Sequence, residues 1–244
     1  MTLPWIIAAA AAGVIAGPRI RVSVFSRSTE SGQPRRHKCP VCDQEILSDR
    51  WRWRTFLPVT GRCPCCRARI GPYPLLAELA AGLALAVVAA RASSAGELAA
   101  LAWLVLLAVP LAFIDAAVRR LPDPLTAAAF AGTIALLAVA ALTGHQPGHL
   151  GRAAIGALAL AGFYLVLSLI WPGGLGLGDA KLAASVGAVL GWISWQALLS
   201  GTFAAFALAG VYGGALLALH RATRTSHLPL GPFILLGTLA AIAL

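Results

Sequence analysis

From Tyr73 to the last residue, the chain is one apolar run after another, broken only by linkers of a few residues. A backbone crossing a bilayer must satisfy its own N–H and C=O groups, and for runs of about 17–25 apolar residues the solution is an α-helix. Composition agrees. Hydrophobic residues make up 59% of the 244 positions and charged residues 11%, and mean hydropathy is +0.81. A soluble domain carries about 25% charge. The expected fold is therefore an all-α polytopic membrane protein. Eight spans are expected, near 3–24, 73–90, 97–115, 123–143, 151–171, 180–199, 201–219 and 228–244. The N-terminal run has no basic region ahead of it and no clear cleavage site, so it reads as a retained span rather than a signal peptide. The expected organisation is a first span (1–25), a polar module (26–72) and a seven-span core (73–244).

The net charge of +10 would hint at nucleic acid on a soluble protein, but here its distribution matters more. With the eight spans threaded alternately, all but two of the 19 Lys and Arg fall on one side, the exceptions being Arg91 and Arg152. Cytosolic loops carry the Lys/Arg excess, so the side holding the polar module is read as the cytosol. Asp115, Asp123 and Asp179 all fall at cytosolic span ends in this threading.

The polar module contains Cys39-x-x-Cys42 and Cys63-x-x-Cys66, separated by 20 residues. That spacing matches a four-thiolate zinc site. Each pair makes a tight knuckle, and four protein ligands close the tetrahedron, which points to a structural rather than a catalytic metal. A cytosolic position argues against disulfides. Cys65 breaks the knuckle spacing and is left out of the ligand set. A polar segment of this size with few apolar residues needs such a staple to fold. The stretch Arg50-Trp-Arg-Trp-Arg54 reads as an interface anchor facing lipid headgroups, with no nucleic-acid partner expected.

Charge at membrane depth costs at least a few kcal/mol, so an intramembrane acid is a functional-site hypothesis by default. Of the nine acids, the four in the polar module read as solvated, and Glu97 suits the N-terminus of its helix. Glu78, Asp115, Asp123 and Asp179 remain. Asp123 precedes Pro124, which predicts Asp at the N-cap and Pro as the first helical residue. Asp115 lies near the C-terminal end of its helix, where the dipole disfavours a negative charge, with an ion pair to Arg119 as the structural alternative. Asp179 follows Gly174, Gly176 and Gly178, which allow close backbone approach, and an N-cap role is its structural alternative. Asp115 and Asp179 thus sit in helix-dipole fields of opposite sign. Two like charges held close share a proton, so one carboxylate can activate water while the other protonates a departing group.

Five stretches in order resemble the type IV prepilin peptidase family, intramembrane aspartyl proteases with a GxGD motif. They are the paired C-x-x-C knuckles, GPYPLLAEL, FIDAAVRRLPDPLT, GLGLGDAKLAASVGAVLGW and LPLGPFILLGTLAAI. The resemblance implies Asp115 and Asp179 as the catalytic aspartates, with Asp123 as an alternative partner. It implies supporting roles for Gly176, Gly178 and Lys181, the last with interface snorkelling as its structural alternative. Glu78 falls where the family has an acid linked to N-methylation by S-adenosylmethionine, against the alternative of a buried ion pair. The first span lacks the family's Gly-Ser-Phe-x-Asn-type stretch, and the module's aromatic-Asn-Pro segment is altered. These departures bear on methylation and leave proteolysis untouched.

The resulting expectation is a multi-pass protease of a bacterial cytoplasmic membrane. It would carry a structural Zn2+ in a cytosolic module and cleave the basic leaders of prepilins or pseudopilins at the cytosolic face. The rival readings are a transporter using the same acids as a proton or cation relay, and a non-catalytic assembly factor of a pilus or secretion system.

Overall fold

The computed structural model describes residues 2–29, 33–47, 60–73, 75–144, 147–171, 175–221, 223 and 228–244. Gly174 and the Arg50–Arg54 stretch lie outside the described residues. Eight helices are present among them: α1 (Leu3–Arg27), α2 (Leu76–Arg91), α3 (Ala95–Val118), α4 (Asp123–Thr143), α5 (Pro147–Ile170), α6 (Leu177–Ile193), α7 (Trp195–Ala218) and α8 (Gly231–Ala243). Among the described residues, the only β pairing is two isolated bridges, Lys38 with Glu45 and Arg62 with Arg69. Five helices, α1, α3, α4, α5 and α7, are long and apolar enough to cross a membrane. The other three are shorter, and α8 has 13 residues.

Several boundaries shift by a few residues from the sequence reading, and two shifts are informative. The first helix runs through Pro18 and both following arginines to Arg27, because Arg21 is buried against α2 instead of facing lipid. The break expected near residue 200 falls at Ser194. There the backbone turns extended (φ −168°), the Ser194 N–H closes α6 on the Leu190 carbonyl, and its hydroxyl accepts the Ala197 N–H at 2.9 Å. One serine ends one helix and caps the next, with no loop to mark it.

Close helix crossings use small residues, as expected where lipid supplies no hydrophobic drive between helices. α5 and α6 meet so tightly that a Cβ on Gly187 would lie 2.3 Å from the Gly156 carbonyl oxygen. α1 and α2 are pinned by a buried ion pair. Arg21 donates from Nε and Nη2 to the two carboxylate oxygens of Glu78, at 2.6 and 2.7 Å. The pair fits only because residue 17 is glycine, where a Cβ would lie 2.3 Å from Glu78 Cγ. The core is a contiguous set of Leu, Val, Ile and Ala from α2, α3, α6 and α8, with α1, α4, α5 and α7 contributing.

The two basic residues on the sparsely charged side have structural work. Arg91 donates to the carbonyls of Ala243 and Leu244 at the end of α8, the latter at 3.4 Å. Arg152 donates to the Gly191, Trp192 and Ile193 carbonyls at the end of α6. Helix C-termini leave carbonyls unpaired, and a cation there satisfies them and the dipole together.

Candidate active site

Asp115 occupies the last turn of α3. The next residue but three, Arg119, takes the left-handed conformation (φ 53°) and closes the helix through its N–H to the Asp115 carbonyl, at 2.7 Å. Asp115 is not held by Arg119. Its Oδ2 accepts the backbone N–H of Gly231 at 2.8 Å, from the first turn of α8. Gly231 therefore reaches the site across 116 residues of sequence.

Asp179 is the third residue of α6, not its N-cap. Gly176 is the N-cap, and two bonds close the turn: Asp179 N–H donates to the Gly176 carbonyl, and Gly176 N–H donates to Asp179 Oδ2, each at 3.0 Å. This is the return half of a capping box, with backbone replacing the missing N-cap side chain. The other oxygen, Oδ1, is buried and has no partner among the described residues. Gly178 packs against Leu121, where a Cβ would come within 2.9 Å of the Leu121 Cβ.

Both aspartates are buried, at 5% and 8% exposure. They line one cleft of about 320 Å³, with Asp123, Gly176, Gly178 and Lys181 also on its wall and Arg119 and Arg120 among the cations around it. The expected N-cap role of Asp123 does not hold. Pro122 occupies the cap position, Asp123 is the first helical residue, and its carboxylate accepts from Lys181 Nζ at 2.6 Å. Both side chains are well exposed, so Lys181 is an ion-pair partner at the cleft mouth. Glu78 is not at the cleft. Its carboxylate is committed to Arg21, as the ion-pair alternative required. A larger cavity of about 410 Å³ lies by Ser194, Arg91 and Glu97. Its charged groups are already used at helix ends, with Glu97 accepting the Ser93 N–H at 2.9 Å.

The four cysteines form a second, separate site. Cys39, Cys42, Cys63 and Cys66 bring their sulfurs within 4.8 Å of one another. The knuckles are copies of one local structure. Cys39 N–H donates to the Gln44 carbonyl and Asp43 N–H to the Cys39 carbonyl; Cys63 N–H donates to Ala68 and Arg67 N–H to Cys63. Asp43 and Arg67, each directly after the second cysteine, share a left-handed φ of 57°. Cys65 occupies the place of Val41 in this repeat and is exposed, which removes it from the ligand set. The Cys39–Cys66 and Cys42–Cys63 sulfurs lie 3.7 and 3.6 Å apart. A tetrahedron with Zn–S bonds of about 2.3 Å has S–S edges of about 3.8 Å, so the four thiols fit zinc. The Val41 backbone N–H holds the Cys39 thiol down to about 7, while desolvation and the neighbouring thiols push Cys66 up to about 12. Phe25 of α1 packs with Cys39, Cys63, Leu47 and Ile70, fixing the module to the end of the first helix.

Gly231 and Arg21 carried no role in the sequence reading. LPLGPF marked Gly231 as part of a motif, but its partner lies in another helix. A basic residue inside an apolar run was the signal for Arg21, and Glu78 was one of the acids near the same membrane face.

Residues 98–214 match the type IV leader peptidase family. Among curated proteins, the chain is 34% identical over 207 residues to a prepilin leader peptidase/N-methyltransferase of Aeromonas salmonicida, covering 80% of this chain and 67% of that one. It is 37% identical over 177 residues to the protein of that name in Klebsiella pneumoniae, covering 66% and 69% of the two chains. It is 32% identical over 223 residues to a type 4 prepilin-like proteins leader peptide-processing enzyme of Escherichia coli O78:H11, covering 86% and 76%. No solved structure matches the chain.

Proposed function

Because the chain belongs to the type IV leader peptidase family, we propose that it is a prepilin peptidase whose working groups are Asp115 and Asp179. The observation that carries this is their shared cleft, in which each carboxylate is tethered through one oxygen to a glycine N–H. Such a pair suits peptide hydrolysis. One carboxylate takes a proton from water as the oxygen attacks the scissile carbonyl. The other donates a proton to the departing amide nitrogen as the C–N bond breaks. Burial of the two carboxylates strengthens the electrostatic interactions between them and the reacting groups.

The substrate class follows the relatives' names, prepilins and prepilin-like proteins cut at their leader, and pseudopilins are included on the family resemblance. The basic residues crowd the side that carries the module, which supports a bacterial cytoplasmic membrane location with residues 26–72 in the cytosol. Asp123 is the charge at the cleft mouth suited to a basic leader, with Lys181 as its resident partner. Zinc in the Cys39, Cys42, Cys63 and Cys66 set is structural, since four thiolates leave no open position.

The relatives' names also carry N-methyl transfer, whose donor would be S-adenosylmethionine. Glu78, the acid the family resemblance linked to that step, has both oxygens taken by Arg21.

The test is co-expression with a candidate prepilin in cells lacking their own processing enzyme, followed by mass spectrometry of the pilin N-terminus. A shortened pilin supports the proposal. An intact precursor beside a well-expressed, membrane-inserted protein contradicts it. The same spectrum reports methylation.

A further inference from the structure

We infer that the backbone N–H of Gly231 is a positioning group for Asp115, and that the N-terminus of α8 is the element that makes a carboxylate workable at the end of α3. This rests on Asp115 being one of the two working aspartates. Asp115 has an adverse local field: it lies in the last turn of α3, where the unpaired carbonyls carry the negative end of the dipole. α8 supplies the opposite end. Gly231 is the first residue of α8, and its N–H meets Asp115 Oδ2 at 2.8 Å in a buried setting. The following residue is Pro232, which has no N–H to compete.

Glycine gives the carboxylate its closest approach. A Cβ at 231 would lie 3.0 Å from Asp115 Oδ2 and 3.1 Å from its Cβ, so a side chain there would require the carboxylate to give way by a few tenths of an ångström. A symmetry with the second acid supports the assignment. Gly176 N–H holds Asp179 Oδ2 at 3.0 Å and leaves Oδ1 without a partner. Each carboxylate is thus fixed by one glycine N–H on one oxygen. For Asp179, the other oxygen is the one left for water or substrate.

The donor can be deleted without changing volume. Glycolic acid introduced at position 231 replaces the amide N–H with an ester oxygen. The same monomer at position 237, also a glycine of α8, removes an ordinary helix bond and serves as the control. Hydrogen bonds to charged groups are worth more than neutral ones. The expected result at 231 is therefore a kcat about 10- to 100-fold lower with KM changed less than about threefold. The ester at 237 is expected to lower thermal stability comparably and leave kcat within about twofold. Unchanged kcat at 231 overturns the inference, as does an equal kcat loss at 237. Asp115→Asn, run alongside, separates the two layers. If it stays active, the aspartate reading itself fails. If it is inactive while the 231 ester keeps full kcat, that reading stands and only the role of Gly231 falls.

Discussion

Breaking the Arg21–Glu78 pair gives a sharp test of how α1 is held to the core. Glu78→Gln keeps the shape and removes the charge. Arg21 is 1% exposed; apart from Glu78 it donates to the Tyr73 carbonyl at 3.3 Å, and its Nη1 has no partner among the described residues. A guanidinium left buried without its anion costs about 3–5 kcal/mol. Arg21→Met strands a carboxylate instead, which escapes part of the cost by taking a proton, so its expected loss sits near the lower end of that range. Replacing both, as Arg21→Met with Glu78→Leu, removes the desolvation cost together with the attraction. Such replacements are often neutral or stabilising, so the double variant is expected within about 1 kcal/mol of the parent. With Glu78→Leu measured as the matching single, the coupling from the double-mutant cycle is then more than about 3 kcal/mol. The assay is equilibrium unfolding in mixed micelles, with prepilin cleavage measured on the same samples. Cleavage by the double variant at near-parent rate is expected. A Glu78→Gln cost under about 0.5 kcal/mol, or a double variant as unstable as the sum of the singles, refutes the reasoning.

Other outcomes follow from the same geometry. Gly178→Ala drives a methyl into Leu121 beside Asp179, and is expected to destabilise by about 1–3 kcal/mol and cut cleavage sharply, read by unfolding and by a prepilin gel assay. Lys181→Met removes an exposed ion pair with Asp123 and is expected to cost less than about 1 kcal/mol in the same unfolding titration. Cys63→Ser is expected to abolish stoichiometric zinc and loosen the Phe25 packing, whereas Cys65→Ser retains the metal; elemental analysis of purified protein distinguishes them. Acidification is expected to release the metal, because protons compete for the thiolates, and a colorimetric zinc indicator follows the release.

Much of this architecture was legible in the sequence because its signals are local. Apolar runs set the helices, the two knuckles announced themselves by spacing, and Asp115 and Asp179 stood out because charge is costly where they lie. The parts that escaped notice depend on partners distant in sequence. Glu78 lies 57 residues from Arg21, Lys181 lies 58 from Asp123, and Gly231 lies 116 from Asp115. Asp123 was misplaced as a cap because Asp-Pro is a sound local cap signal, while Lys181 offers its carboxylate a partner that no local rule reveals. The α6–α7 boundary was misplaced for a different reason. Ser194 ends one helix and caps the next without a Gly, a Pro or a change in hydropathy.

The most direct test of the central claim is leader cleavage by purified protein in liposomes, comparing the parent with Asp115→Asn and Asp179→Asn at equal zinc content and equal stability. The two-carboxylate account predicts that both variants lose cleavage by at least about 100-fold while still binding the prepilin. Full activity in either variant would contradict it.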